Sequence, residues 1–393
     1  MKTKVFNGEI ITGGQNLGRG TVLMEDGIIT GMEKGDVEAP GYEGYDAGGG
    51  YIMPGFIEVH SHGALQYDFL DCTLEALRGI ARAHASHGTT LLFPTTEASS
   101  NEEIFRFFEV YEKVKDSTGG AAFGGIHLEG PYFSREYIGA QDPRFIKYPD
   151  PADYMPILEA CPYIRRMSVA PELPGALELG RVLANRGIVA SVAHTAATFD
   201  QVVEASKNGY TMFTHFYNAM KGITKQGTHR TGGCIEAGYM LDDMTVEVIC
   251  DGIHVPKELL QLIVKVKGPG KVTLCTDSVR GAGLPEGSVC RLGSPEHGLM
   301  IVINEGVAKL QDDLSRLAGS VATTDRLVRT MHFLADQPLP LAVRMITENP
   351  ACVMGVDSHK GKISRGYDAD LVVCDREVRC KATFISGRRV FPE

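Results

Sequence analysis

The pattern of apolar and polar residues changes twice along this 393-residue chain. Both ends consist of short strand-like runs separated by the glycine-containing turns typical of hairpins. These runs are residues 5–11, 20–24 and 27–32 at the amino end, and 362–363, 369–374 and 382–384 at the carboxyl end. Neither end could bury a core alone. We therefore expect residues 1–52 and 357–393 to form one small β-sandwich domain together.

Residues 53–356 have a different pattern from the two ends, because strand-like and helix-like segments alternate along them. The predicted strands are residues 51–59, 89–94, 122–128, 164–169, 189–193, 212–214, 246–250 and 272–275. Eight strands in a βα alternation predict an α/β fold with a (β/α)8 TIM-like barrel. Two insertions, residues 131–151 and 218–236, follow the third and sixth strands. Long loops in these places usually shape the active site of a barrel.

Composition narrows the classes of partner. The net charge is -10 and no run of lysine and arginine occurs, so we expect no nucleic acid and no anionic membrane as partner. The nine cysteines include no CxxC pair, which argues against a disulfide framework and points to a reducing compartment. The first residues are too polar for a signal peptide, and no apolar run reaches the roughly 20 residues of a membrane span. A cytoplasmic location is expected.

Polar residues collect where the predicted barrel strands end. Six of them are metal-ligand types: His60, His62, Glu129, His194, His215 and Asp277. The carboxyl ends of barrel strands converge on one mouth, so these residues are expected to become neighbours. Each alone could be a hydrogen-bonded structural residue, but that interpretation must explain six of them at the ends of five strands. Imidazole and carboxylate donors suit Zn, Fe, Mn or Co, which predicts a site for a divalent transition metal.

Nine short segments resemble the amidohydrolase superfamily and, more narrowly, the N-acetylglucosamine-6-phosphate deacetylases. They occur in the family's order and are PGFIEVHSHG (54–63), HLEGPY (127–132), GAQ (139–141), VAHTAAT (192–198), THFYNAM (214–220), DGIHV (251–255), TDS (276–278), LAGS (317–320) and ENPA (348–351). The HxH pair marks the whole superfamily. HLEGP combined with THFYNAM and DGIHV is specific to the sugar-phosphate branch.

The resemblance implies a role for each of the six residues. Glu129, His194 and His215 are similar to ligands found throughout the family, and His60 and His62 to ligands of a second ion. One or two divalent transition metals per subunit are therefore expected. Asp277 matches the family's general base and acid, which would take a proton from the metal-activated water and return it to the departing amine.

The resemblance also implies substrate contacts at Ala140, Asn218, Ala219, His254, Ala318, Gly319 and Ser320, whereas Gln141 and the loop that carries Arg230 depart from the family's pattern. Gln141 stands where relatives often carry a histidine, and an amide can donate a hydrogen bond but cannot act as a cation. Arg230, with His229 and Lys225 beside it, is the candidate for binding phosphate. In the family this loop reaches the neighbouring subunit's site, which implies a homodimer.

The activity expected from these residues is hydrolysis of N-acetylglucosamine-6-phosphate to acetate and glucosamine-6-phosphate. The N-acetylgalactosamine epimer is an alternative, because the two sugars differ in the direction of one hydroxyl. A cyclic amidase or an N-acyl-amino-acid deacylase on the same barrel is a more distant alternative. An inactive scaffold is the non-enzyme alternative, although such proteins typically lose the ligands that this chain keeps.

Overall fold

The computed structural model describes residues 1–392 and confirms the predicted fold class, a (β/α)8 barrel joined to a smaller β unit made from both termini. The strands are β1 (Lys2–Thr12), β2 (Gln15–Glu25), β3 (Ile28–Lys34), β4 (Glu43–Asp46), β5 (Tyr51–Pro54), β6 (Phe56–Ser61), β7 (Gly63–Ala64), β8 (Tyr67–Asp68), β9 (Thr89–Thr96), β10 (Ala122–Phe123), β11 (Ile126–Glu129), β12 (Ile164–Val169), β13 (Val189–Val192), β14 (Tyr210–Phe213), β15 (Thr224–Gln226), β16 (His229–Thr231), β17 (Thr245–Ile249), β18 (Val272–Cys275), β19 (Val289–Leu292), β20 (Leu299–Asn304), β21 (Val307–Leu310), β22 (Leu371–Cys374), β23 (Cys380–Ile385) and β24 (Arg388–Phe391).

The α-helices are α1 (Leu74–Ala85), α2 (Asn101–Val114), α3 (Pro151–Ala160), α4 (Ala176–Asn185), α5 (Phe199–Ser206), α6 (Cys234–Met240), α7 (Lys257–Lys267), α8 (Thr324–Arg329), α9 (Leu339–Arg344) and α10 (Glu348–Val353). Capping residues fix where several begin. Ser100 and Glu103 form a reciprocal capping box at the start of α2, and Thr73 caps α1. Within residues 1–392, none of the helices combines the length and the apolar character needed to cross a bilayer.

Eight parallel strands form the barrel in the order β6, β9, β11, β12, β13, β14, β17 and β18. The first and last strands meet where Ser61 pairs with Ser278 in an isolated bridge. Next to that bridge, the backbone N–H of Asp277 donates to the carbonyl of His60 over 2.9 Å. The barrel therefore closes at its mouth, where the first and last strands carry predicted site residues.

Two predicted strands are interrupted at glycines. Residues 51–59 were expected as one strand, but the chain leaves the terminal sheet after β5 and enters the barrel with β6. At Gly55, between them, an added Cβ would lie 2.2 Å from the Thr90 side chain, so only glycine fits this crossing. Residues 122–128 are likewise split into β10 and β11. A Cβ on Gly124 would lie 2.5 Å from the ring of Phe93.

The two chain ends share one hydrogen-bonded sheet. Its order is β24, β23, β22, β5, β1, β2 and β3, with β4 paired to β1. Apolar residues from both ends fill its core, including Val5 and Ile10 from the amino end and Leu371 and Phe384 from the carboxyl end. Neither end supplies enough apolar surface by itself, which explains why the strands combine.

A third insertion follows the last barrel strand and was not predicted. Strands β19, β20 and β21 form an antiparallel sheet with its own small core, between β18 and α8. Two contacts attach it to the segments that follow the first and the last barrel strands. The N–H of Gly293 donates to Asp68 Oδ2 over 3.0 Å, and Arg280 donates to the carbonyl of Gly293 over 2.7 Å. This insertion forms one wall of the cleft described below.

Candidate metal centre and active site

The six residues predicted to form a metal site lie together at the mouth of the barrel. Each lies at the carboxyl end of a barrel strand or within two residues of it. All are buried, with between 0% and 8% of their surface exposed: His60, His62, Glu129, His194, His215 and Asp277. Polar groups buried this deeply need partners, and these side chains turn toward one another.

Glu129, His194 and His215 form one group of donor atoms. His215 Nε2 lies 3.0 Å from Glu129 Oε1 and 3.1 Å from His194 Nε2. His194 Nε2 lies 3.5 Å from the same carboxylate oxygen. Three donors at these separations can all contact a single ion.

His60 and His62 form a second group, which shares Glu129 with the first. The two Nε2 atoms are 3.3 Å apart, and each lies 3.4 Å from an oxygen of Glu129. Asp277 Oδ1 lies 3.3 Å from both imidazole nitrogens. The carboxylate of Glu129 thus presents Oε1 toward His60 and Oε2 toward His62, which places it between the two groups.

Hydrogen bonds on the far side of two rings fix which nitrogen faces the centre. His60 Nδ1 lies 2.8 Å from Glu247 Oε1, and His194 Nδ1 lies 3.0 Å from the carbonyl of Tyr137. Both partners are acceptors, so each Nδ1 carries hydrogen and each Nε2 can present a lone pair to a metal. Metal-binding histidines are commonly oriented in this way, so the donor set fits a divalent transition metal.

The electrostatic field of the site also favours a cation. Burial alone would lower the pKa of His60, but three surrounding carboxylates outweigh it and raise that pKa to about 10. Those carboxylates are Asp277, Glu129 and Glu247. Burial would raise the pKa of Glu129, yet the neighbouring imidazoles hold it well below its usual range. The same negative field that favours a proton on His60 would favour a metal ion in its place.

A buried ion pair supports the site from below, and the sequence interpretation missed it. Glu247 accepts from His60 Nδ1 and from the backbone N–H of His215, and it also pairs with Arg166. Neither Glu247 nor Arg166 has exposed surface. Donor atoms of Cys275, Glu247 and His60 also lie close enough together to hold a metal ion. We assign a hydrogen-bond network to this group instead, because Glu247 is already bonded to His60, His215 and Arg166. The sequence signal that could have identified Glu247 and Arg166 is a charged residue within a predicted barrel strand.

The backbone is strained at three of the six residues. His194, His215 and Asp277 have φ values of 44°, 30° and 47°, in the left-handed region that non-glycine residues rarely occupy. Each follows the end of its strand by two residues, where the chain turns away from the barrel. Strain of this kind is typical of functional sites, because the surrounding structure must hold it in place.

The cleft above the metal site contains most of the expected substrate contacts. Those lining it are Ala140, Gln141, Asn218, Ala219, His254, Ala318 and Gly319. Ser320 is instead fully buried below the cleft, where its hydroxyl donates to the carbonyl of Thr276. His254 Nδ1 lies 2.7 Å from Asp251 Oδ2, which fixes the ring and leaves its Nε2 for the cleft.

Gln141 has a position that the sequence did not indicate. Its side-chain Nε2 donates to Glu129 Oε2 over 2.7 Å, and its Oε1 accepts from the backbone N–H of Ala98 over 2.8 Å. The amide therefore orients the carboxylate shared by both groups of ligands.

The candidate phosphate-binding residues do not line this cleft. Lys225, His229 and Arg230 lie on the β15–β16 hairpin, where the His229 and Arg230 side chains are exposed. No lysine or arginine is among the residues that line the cleft in the described part of the chain. A phosphate dianion bound there would need a cation from elsewhere.

The model of the amidohydrolase family matches residues 51–390 of this chain. The N-acetylglucosamine-6-phosphate deacetylase of Lysinibacillus sphaericus is 30% identical over 380 residues, covering 93% of this chain and 92% of the relative. The enzyme of that name from Homo sapiens is 31% identical over 361 residues, covering 88% and 85%. The family match spans all six residues of the candidate metal site.

A solved structure is similar over the same length. It is an aspartate-to-alanine variant of N-acetyl-D-glucosamine-6-phosphate deacetylase from Mycobacterium smegmatis, in complex with N-acetyl-D-glucosamine-6-phosphate. The TM-score is 0.90 at 30% identity, and the match covers 99% of both chains. The similarity therefore includes the terminal sheet as well as the barrel.

Proposed function

This chain belongs to the amidohydrolase family, among the N-acetylglucosamine-6-phosphate deacetylases, and we propose that its cleft hydrolyses N-acetylglucosamine-6-phosphate to acetate and glucosamine-6-phosphate. One observation carries the proposal. Glu129, His194 and His215 converge beside Asp277 at the base of a cleft, on a barrel similar over its whole length to a deacetylase with this substrate.

The donor geometry supports one or two metal ions per subunit. Glu129, His194 and His215 would hold the first ion, and His60 and His62, with Glu129 shared, would hold the second. When bound, such an ion lowers the pKa of a water molecule and polarises a carbonyl oxygen. Zn, Fe, Mn and Co all accept this donor set, so availability decides which is present.

Asp277 would carry the proton through the reaction. Burial would raise its pKa, but His60 and His62 more than offset this and lower it, so the carboxylate is charged and can accept a proton. The carboxylate takes that proton from the attacking water and then gives it to the nitrogen of the breaking amide bond. Without this transfer the amine would be a poor leaving group.

We propose that the phosphate is neutralised by a second copy of the chain. The residues that line the cleft include no lysine or arginine, whereas Arg230 lies exposed on the β15–β16 hairpin. Arg230 of the partner subunit would supply the cation in a homodimer, with Lys225 and His229 on the same hairpin as alternatives. The ring of His254 would contact the same end of the substrate.

The test of this function compares the amounts of the two products. Purified protein incubated with N-acetylglucosamine-6-phosphate should release acetate and primary amine in equal amounts. A chelator should abolish this release and lower the melting temperature, and adding back Zn²⁺ or Mn²⁺ should restore both. Acetate release that persists after the bound metal has been removed would show that the metal assignment is wrong.

A further inference from the structure

Glu97 is a buried carboxylate in the cleft that the proposed mechanism leaves without a role. It directly follows β9, and about nine-tenths of its side chain is buried. Its Oε1 atom has no hydrogen-bond partner within residues 1–392, and neither has Nδ1 of His62. These two atoms lie 3.9 Å apart. Buried polar atoms are rarely left unpaired, so a neighbouring pair of them indicates a function.

Two of the other three rings show what His62 lacks, whereas Nδ1 of His215 also has no hydrogen-bond partner within residues 1–392. His60 donates its Nδ1–H to the carboxylate of Glu247, and His194 donates its own to a backbone carbonyl. Each donation holds the ring with Nε2 toward the centre. For His62 the carboxylate within reach is that of Glu97. Closing the gap to an ordinary hydrogen bond of about 2.9 Å needs a movement of about 1 Å, which side-chain rotation supplies.

The third insertion prevents Glu97 from moving the other way. A Cβ on Gly293 would lie 2.3 Å from Glu97 Oε2, so the carboxylate is packed directly against that backbone. Gly293 is itself fixed by hydrogen bonds to Asp68 and Arg280. The movement open to the carboxylate is therefore toward His62.

We propose that Glu97 is a positioning residue for the second metal: it accepts the Nδ1–H of His62 and aims Nε2 of that ring at the ion. Glu97 contacts the Nδ1 side of the ring, whereas Glu129 and Asp277 face Nε2. This placement makes it a support for the ligand and not a ligand. The inference rests on the proposed function, because it requires the His60–His62 ion.

Metal titration tests this without substrate. Apo-protein is titrated with Co²⁺, and the visible spectrum and bound metal per chain are measured for wild type, Glu97→Leu, Glu97→Gln and the exposed control Glu33→Gln. Wild type and Glu33→Gln should bind two ions. Glu97→Leu should keep the first ion and bind the second about 10- to 100-fold more weakly, the usual effect of removing such a support. Glu97→Gln keeps an acceptor oxygen of the same shape, so it should recover most of the loss.

The other outcomes are equally decisive. If Glu97→Leu binds the second ion with wild-type affinity and spectrum, the inference is overturned, even if that variant melts at a lower temperature. It is also overturned if wild-type protein binds only one ion; acetate release by that protein would leave the proposed function intact. Glu97→Gln is isosteric with the native residue, so it provides a readout if Glu97→Leu does not fold.

Discussion

His60 Nδ1 lies 2.8 Å from Glu247 Oε1, and neither side chain has any exposed surface. The same carboxylate accepts from the backbone N–H of His215 and pairs with Arg166. One buried residue therefore fixes two of the candidate ligands while its own charge depends on an arginine. Stability and metal binding are coupled at this point.

Glu247→Gln should weaken both properties. The neutral amide leaves Arg166 as a buried charge without a counterion, which we expect to lower the free energy of unfolding by about 3–5 kcal/mol. Loss of the carboxylate behind His60 should also weaken metal binding by about 10- to 100-fold. Urea unfolding and metal titration measure the two effects separately.

The matched control is the double variant Glu247→Gln, Arg166→Met, which removes the unpaired charge and should recover part of the stability without recovering metal affinity. An unchanged urea midpoint for Glu247→Gln alone would mean that the pair contributes nothing to folding.

Asp277→Asn should separate chemistry from metal binding. Asparagine keeps the shape of the side chain but cannot take a proton from water. The rate of acetate release should therefore fall by about 10²- to 10⁴-fold. The bound metal should change little, because the histidines and Glu129 remain. Acetate release and metal content are measured on the same sample. Activity close to that of wild type would assign the proton transfer to another group.

Arg230→Ala should raise KM for the phosphorylated substrate by about 10- to 100-fold, because a charge-assisted hydrogen bond is lost. Unphosphorylated N-acetylglucosamine should be affected little. Lys34→Ala, at an exposed position of β3, is the control. Equal effects of Arg230→Ala on both substrates would place the phosphate site elsewhere.

Mixing two variants tests the proposal that Arg230 comes from a partner subunit. When the Arg230→Ala and Asp277→Asn proteins are dissociated and reassembled together, one site per mixed dimer combines an intact Asp277 with Arg230 of the partner subunit. Activity should then exceed that of either variant alone. If the arginine serves its own subunit, mixing gives no recovery.

The proximity of the six candidate ligands could be predicted from sequence because they lie where apolar runs end, and barrel topology brings strand ends together. The alternation of strands and helices gave the fold class for the same reason. Both predictions depend on local order along the chain and on one rule of barrel geometry. Neither needs a knowledge of which side chains meet.

The parts that could not be predicted depend on contacts between distant segments. Gly55 divides an apolar run because Thr90 packs against it, and nothing in residues 51–59 reveals that neighbour. The pairing of Arg166 with Glu247 joins two strands 81 residues apart. The third insertion lies outside the alternation of strands and helices, because its three strands follow one another without a helix between them. Its contact with Glu97 appears only when the chain is folded.

Asp325 gives a prediction about pH, because it holds the start of α8 against the terminal sheet. It accepts from Thr323 and from the backbone N–H of Cys380, and it pairs with Arg329 over 2.7 Å. Burial would raise its pKa, but His87 and Arg329 hold it well below the usual value. A carboxyl whose pKa is lower in the folded state stabilises the protein above its unfolded pKa, near 3.9, and loses this effect as pH falls below it.

Asp325→Asn should therefore unfold more easily than wild type at pH 7, by about 1–3 kcal/mol. The difference should shrink as the pH is lowered from 5 toward 3. Urea unfolding of both proteins across this range measures it. A difference that stays constant with pH would mean that the charge of Asp325 does not contribute.

The central claim is tested most directly by an acetate-release assay with three substrates: N-acetylglucosamine-6-phosphate, its galacto epimer and unphosphorylated N-acetylglucosamine. We predict the highest kcat/KM for N-acetylglucosamine-6-phosphate and a large loss when the phosphate is removed. A preference for the galacto epimer would reassign the substrate within the same chemistry. No acetate from any of the three, by protein with its metal bound, would contradict the account.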